Sequence, residues 1–414
     1  MQFGPKRFAS VTATGRAGAD REVPAGCDAA SKLDLDKRSR MGLWIFKQVP
    51  YEPEHAPKMR LPGSRAADFW SLARLWLWAP LLLASSMLCA QSATDARADG
   101  PGFDLARPEI ATFIDRLVHR DGLPREWVIA VLGAATVRPE LTAAMDHPVE
   151  TELAWWQYRA RFVTPERVAA GHRFWLQHKD LLDQAALTYG VPPEYLVAIL
   201  GVETNYGQTP GSYREIDTLM TLAFNYPARA ASFRYELRQF LLLAHEMNED
   251  PLALHGSYGG ALGAPQFMPS SYRQFAAGRT QPGSVDLWSD WGAVFAAISD
   301  FLDQRGWQRG GPVLLEAQVK SGASPPASGH LKLNQTLRSL RSRGVRLDVA
   351  LPNSTRVMLI RAVLENGVDY RLGFKNFFVI SRYNPSTNYA MAVCDLAQGL
   401  RSAVAQAPPD SPSP

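Results

Sequence analysis

The stretch "PPEYLVAILGVETNYG", residues 192–207, constrains this chain more than any other. Pro192-Pro193 suits a first helical turn, and the run from Tyr195 to Leu200 is apolar enough to bury both itself and the residues after it. Among those residues is Glu203, an acid placed where the chain stops being helical. One reading is a solvated carboxylate at a frayed helix end. The other is a catalytic acid kept protonated in a pocket, since burial disfavours the charged form of a carboxyl.

At 414 residues the chain exceeds one hydrophobic core and is expected to form two or three linked units. Hydrophobic residues at 46% and charged residues at 20% place it among globular proteins. A formal charge of +4, from scattered basic residues, gives no case for nucleic acid and is compatible with an anionic polymer. Eleven Trp and thirteen Tyr supply rings that pack a core and also stack on sugars. Cys27, Cys89 and Cys394 show no metal spacing and no disulfide framework, and Cys394 reads as a buried packing residue.

Residues 66–90, "AADFWSLARLWLWAPLLLASSMLCA", hold the long apolar run, with Arg60, Arg65 and Arg74 before its centre. From Leu75 to Leu88 it is too short to span a bilayer comfortably. This is the layout of an export signal, with cleavage expected after Ser92. Acylation of Cys89 and an uncleaved anchor are the competing readings, so membrane association through this segment stays open. Met59 reads as the start of translation, and residues 1–58 as an over-extended or disordered stretch. The expected location is the periplasm.

Beyond residue 101 the pattern turns helical: "PEIATFIDRLVHR", "PREWVIAVLGAA" and "PERVAAGHRFWLQHKDLLDQAALTYG" carry apolar residues at three-to-four spacing, with Gly190 as a stop. Helices are also expected at "ARAASFRYELRQFLLLAHEM", "WGAVFAAISDFLDQRGW" and "TNYAMAVCDLAQGLRSAVAQ". Between 312 and 380, "PVLLEAQV", "RLDVAL", "TRVMLIRAV" and "NFFVISRY" read as short strands. No internal repeat appears. The expected division is an extension over 1–58, the export signal over 59–92, a helical domain over 101–195 and a catalytic core over 196–311. Beyond these come a small β subdomain over 312–380, a C-terminal helix over 381–406 that completes the groove, and a disordered tail over 407–414.

Around Glu203 two further segments offer suitable chemistry. Gly256-Ser257-Tyr258-Gly259-Gly260 supplies close-approach backbone and a hydroxyl, and Gln266 supplies an amide able to hold an N-acetyl or hydroxyl group. A neutral carboxyl aimed at a glycosidic oxygen is a general acid. Ordinary glycosidases flank the bond with a second carboxylate. The nearest candidates, Glu215 and Asp217, belong to no motif requiring them there. One acid suffices where the substrate's own hydroxyl attacks intramolecularly.

"GVETNYG", "TLAFNYPARA", "GSYGGALGAPQFMPSSYRQFA" and "SRYNPSTNYAMAV", in this order, resemble the lytic murein transglycosylases of the B type, over roughly residues 107–400. The resemblance implies a mainly α fold of the α+β type, with a lysozyme-like catalytic core, a helical domain and a small β subdomain. It implies cleavage of the MurNAc–GlcNAc bond of peptidoglycan glycan strands without water, leaving a 1,6-anhydromuramoyl end. Glu203 matches the family's sole acid/base, Ser257 the serine beside it and Gln266 a sugar-contacting glutamine. Tyr158 and Arg229 match groove residues, Tyr383 and Asn384 match a pair reaching in from the C-terminal part, and Tyr389 is a further candidate there. Locally, the same residues read as a turn serine, a loop cap, core tyrosines and solvated surface.

This chain departs from the family pattern after "NYP", where Ala228 stands first and only Arg229 remains of two arginines. The loop "AAGRTQPGSVDLWSD" lacks the acids that a calcium site needs, so no metal and no cofactor is expected. Two other readings stand beside the transglycosylase: a goose-type lysozyme-like hydrolase, and a non-catalytic wall-binding protein.

Overall fold

Prolines and caps set the helical framework, described in a computed structural model over residues 100–146, 153–277, 285–327 and 331–406. The export signal, the 1–58 extension and the 407–414 tail lie outside those residues. Helix α1, Pro108–His119, buries Ile110, Phe113, Ile114 and Leu117 at helical spacing. It is followed by α2, Arg125–Gly133, α3, Pro139–Asp146, and α4, Trp155–Phe162. In α5, Pro165–Gln177, the Thr164 hydroxyl accepts the Arg167 N–H, satisfying one of the orphan donors of the first turn. Helix α6, Lys179–Tyr189, stops at Gly190, whose φ of 72° suits glycine.

The apolar run forms α7, Pro193–Thr204, buried continuously from Leu196 to Thr204. After strand β1, Tyr213–Arg214, comes α8, Glu215–Asn225, in which every residue from Glu215 to Phe224 is buried. A 3-10 turn at Pro227–Arg229 leads into α9, Ala230–Met247. Strand β2, His255–Gly256, pairs antiparallel with β1. The short α10, Pro269–Tyr272, and α11, Trp291–Gln304, complete this part.

The sheet draws on β3, Leu314–Val319, β4, Gln335–Thr336, β5, Val345–Arg346, β6, Arg356–Leu364, and β7, Gly367–Gly373, in the order β4-β6-β7-β3-β5. All of these pairs are antiparallel. Alternation along β6 assigns its two faces. Val357 and Leu359 join a small core with Leu337, Leu340, Val345, Leu372 and Phe374, whereas Met358, Ile360 and Ala362 face the main helical core. Helix α12, Leu337–Arg341, covers the small core.

Two strand expectations are overturned: of "RLDVAL" only Arg346 lies in a strand, β5, and residues 347–351 are irregular. "NFFVISRY" forms a helix, α13, Lys375–Ile380, with Asn376, Phe377, Val379 and Ile380 buried. A short apolar run carries no period that separates strand from helix, and packing decided. The strand beside β6 is instead β7, which carries Asp369 and Arg371 at alternate positions.

The last helix, α14, Thr387–Gln406, packs along α7 and α5. Asp395 on α14 bonds Arg371 of β7 at 2.6 Å and Arg159 of α4 at 2.9 Å, so one carboxylate joins three segments. Replacing Asp395 by Asn would leave the nearly buried Arg371 charge without its counter-ion, an expected loss of about 2–4 kcal/mol in a chemical denaturation curve.

Candidate active site

Helix α7 ends in a bend that local sequence sets up. Asn205 and Tyr206 take φ of 49° and 61°, left-handed values that cost a non-glycine residue about 1 kcal/mol each. Tertiary contacts hold them. The Tyr206 ring lies against Gly201, where a β-carbon would come within 2.8 Å of it, and its hydroxyl donates to the Arg167 carbonyl at 2.7 Å. The Arg167 guanidinium donates in turn to the Gly201 carbonyl. Thr204, wholly buried, donates to the Ala264 carbonyl at 2.9 Å and accepts the Gly207 N–H at 3.0 Å. The end of α7 is thereby tied to the loop carrying Gln266.

Glu203 projects from this clamped end and is only 6% exposed. The Tyr389 hydroxyl donates to its Oε1 at 2.5 Å. Burial pushes the Tyr389 hydroxyl well above its ordinary pKa, and the adjacent Glu203 charge adds to the shift, so the phenol keeps the proton it donates. Tyr383 stacks on Tyr389, with ring centroids 6.4 Å apart and planes 12° apart, and donates to the Pro265 carbonyl at 2.5 Å. Burial and Glu203 raise its pKa in the same way. Tyr158, also buried, packs on Phe162 and stands close enough to add to the shift at Tyr389. Asn384 is buried next in sequence to Tyr383.

Gln266 is 2% exposed and takes a left-handed φ of 53°. Its side-chain nitrogen donates to the carbonyls of Pro210 at 2.8 Å and Gly263 at 2.9 Å. The amide expected to hold a sugar group is therefore engaged on its donor side, and Oε1 is the atom left to accept from a ligand N–H or O–H. Ser257 sits in a tight turn in which its Oγ accepts the N–H groups of Gly259 at 3.3 Å and Ala261 at 3.1 Å. That leaves its O–H to donate.

The geometry thus gathers Glu203, Tyr389, Tyr383 and Tyr158 at one place, with Gln266 adjoining through Pro265. Arg229 is positioned by other groups: its guanidinium lies 5.0 Å over the Phe233 ring, in the field of Glu236. Burial lowers its pKa, and Tyr226 and Glu236 oppose the shift.

Two carboxyls were weighed from sequence as a second acid. Asp217 accepts from the backbone and hydroxyl of Thr136 at 2.9 and 3.0 Å, from Arg214 at 2.8 Å and from Arg138 at 3.4 Å. It is a structural anchor. Glu215 has no exposed surface and lies beneath the Ser257 turn. In the loop weighed as a cation site, residues 278–284 lie outside the described ones. Its two acids both accept backbone N–H groups: Asp286 from Trp288 and Ser289, Asp290 from Ala293. Among the described residues no group of three or more His, Cys, Asp or Glu side chains could hold a metal ion.

Sequence reading ranked Tyr389 behind Tyr383, yet Tyr389 is the residue bonded to Glu203. It missed Thr204, Tyr206 and Arg167, although the unusual sequence Thr204-Asn205-Tyr206 after an apolar helix was a signal that the bend is built.

A family profile described as Transglycosylase SLT domain matches residues 106–398. The chain is 38% identical over 315 residues to the membrane-bound lytic murein transglycosylase B of Escherichia coli, a match covering 74% of this chain and 86% of that protein. Among solved structures, soluble lytic transglycosylase SltB1 of Pseudomonas aeruginosa, in its catenated form, aligns with a TM-score of 0.68 at 39% identity, covering 72% of this chain and 98% of that one. The E. coli lytic transglycosylase Slt35 in complex with bulgecin A aligns with a TM-score of 0.69 at 37% identity, covering 75% and 99%. The mainly α architecture with a small antiparallel sheet is the lysozyme-like fold these relatives share. With the profile spanning most of its length and these relatives aligned nearly end to end, the chain belongs to the lytic transglycosylases of the SLT-domain family.

Proposed function

We propose that this enzyme cleaves the MurNAc–GlcNAc bond of peptidoglycan strands without water, with Glu203 as its single acid/base. The observation carrying this reading is the Glu203–Tyr389 pair. A carboxyl withdrawn from water and fixed at one oxygen by a buried phenol is oriented to pass a proton through the other. The glycosidic oxygen takes that proton as its bond to the muramoyl C1 breaks. The muramoyl C6 hydroxyl then attacks C1 from within the same ring, and its proton returns to Glu203. One C–O bond breaks, one forms, and the acid is regenerated. Proximity supplies what a positioned water and a second carboxylate supply in a hydrolase. Engagement of Asp217 and complete burial of Glu215 favour this one-acid route over the hydrolytic one.

Gln266, Ser257, Tyr158, Tyr383, Asn384 and Arg229 are proposed to line the glycan groove, Gln266 as an acceptor. The segment 59–92 is proposed to export the enzyme to the periplasm. Among the described residues no single helix is long and apolar enough to cross a membrane. The E. coli relative is itself named membrane-bound.

Substituting Glu203→Gln should lower peptidoglycan cleavage by roughly 10²–10⁴-fold while glycan binding survives in a pull-down. In the same assay, mass spectrometry of wild-type products should show muropeptides about 18 Da lighter than hydrolysed ones. Hydrated products would instead identify a lysozyme-type hydrolase. The Tyr389→Phe change removes a hydrogen bond to the carboxylate that Glu203 becomes as its proton leaves, so kcat should fall about 10–100-fold with KM little altered. An unchanged kcat would mean that Tyr389 packs the site without orienting the acid.

A further inference from the structure

Glu215 is a buried titratable group that the proposed reaction leaves without a role. It opens α8, and its backbone N–H donates to the Leu254 carbonyl at 2.9 Å. A first helical turn ordinarily favours a negative side chain. Here neither carboxyl oxygen meets a hydrogen-bond partner among the described residues, and the residue is 0% exposed.

The carboxyl is wedged against the turn that carries Ser257. A β-carbon on Gly256 would lie 2.3 Å from Glu215 Oε2, and one on Gly260 would lie 3.1 Å from Oε1. Only glycine lets both stretches of backbone approach so closely. Gly211 presses on the same strand, since a β-carbon there would stand 2.1 Å from the Gly256 carbonyl oxygen. Gly256 is therefore in close contact with both Gly211 and the Glu215 carboxyl. One residue further on, Ser257 closes the turn by donating its N–H to the Ala261 carbonyl at 2.9 Å.

The charged and titratable neighbours offer Glu215 no counter-ion. From α9 it faces Glu236, a second buried carboxyl, which accepts from the Ser270 N–H at 2.9 Å and hydroxyl at 2.8 Å. Arg229 lies beyond Glu236 and acts on that group. Beside Glu215 in its own segment, Arg214 and Asp217 are paired with each other at 2.8 Å. From β2, His255 is exposed and engages the Ala253 carbonyl. The turn itself contributes only Tyr258. Burial pushes Glu236 up to about 7 and Glu215 well above the ordinary carboxylate range, and the charge of Glu236 opposes ionisation of Glu215 further.

We propose that the uncharged Glu215 carboxyl is a positioning residue, the internal support of the Ser257 turn, and that loss of its proton opens the turn and stops cleavage. This rests on the reading that Ser257 lines the glycan site. A carboxylate at this position must find water or N–H donors, and the close approach of the Gly256 and Gly260 backbones leaves no room for either unless the turn moves away. Because the folded state holds the proton more tightly than the unfolded chain does, this contribution to stability is complete below the ordinary carboxyl pKa. It is lost as pH rises towards the folded value.

The test is hydrogen exchange of the peptide spanning residues 256–261 in the full chain, with kcat measured in parallel, at about pH 6 and about pH 9. After correction for intrinsic exchange, wild-type protection in this peptide should fall about ten-fold or more at the higher pH, while Glu215→Gln keeps its protection at both pH values and its activity at the lower one. Glu215→Met supplies the same uncharged bulk if the Gln variant does not fold, and the same result is expected. Equal loss of protection in wild type and the uncharged variants, or no loss in wild type, overturns the proposal. Loss of the alkaline limb of kcat in Glu215→Gln is a change that support by bulk alone would not produce. Product masses from wild type at about pH 6 test the transglycosylase reading separately, so either idea can fail without the other.

Discussion

Taking the Glu203 carboxyl out of water costs free energy, and the polar side chain next to it on α7, Thr204, is spent on the Ala264 carbonyl and the Gly207 N–H. The compensating donor comes from Tyr389, 186 residues further along the chain. Everything that brings α14 alongside α7 is therefore a precondition for the site. Asp395 fastens α14 to β7 and α4, Tyr383 fixes the entry to α14 against the Pro265 carbonyl, and the Tyr206 plug holds the end of α7 at its bend. The sheet, remote from the chemistry, matters because β7 supplies Arg371 to that arrangement.

Helix α8 shows how differently one helix can treat two acids. Asp217 is surrounded by a backbone N–H, a hydroxyl and two arginines, and it locks α8 to the segment after α2. Two residues earlier, Glu215 is given carbonyl, glycine and leucine surroundings and no cation. A charge costs little at the first position and a great deal at the second. Side-chain identity alone does not predict this difference, which depends on what the neighbouring segments present.

Much of the framework was legible because it depends on near neighbours. Pro108, Pro165 and Pro193 start helices through their own fixed φ, Thr164 caps through its own hydroxyl, and Gly190 stops α6 through its freedom at positive φ. The order of the motifs around Glu203, Ser257, Gln266 and Tyr383 was likewise readable, and with it the family. Where a segment's preference was weak, reading failed. The run at 374–380 is apolar without a period, so its helical form came from packing against the core. Strand β7, carrying Asp369 and Arg371, has no clear apolar run, and it is Asp395 that accounts for the buried charge of Arg371.

By itself the sequence determined an apolar helix that ends in an acid, the glycine turns able to approach it, and the helical starts and stops around them. All of these are properties of residues a few positions apart. Only the tertiary structure decided that Tyr389 bonds Glu203, that the Gln266 amide nitrogen is engaged by the Pro210 and Gly263 carbonyls, that Asp217 is an anchor, and that Glu215 is buried beneath the Ser257 turn. Each of those outcomes depends on which distant backbone or side chain fills the space next to a polar atom, and no local pattern encodes that neighbour.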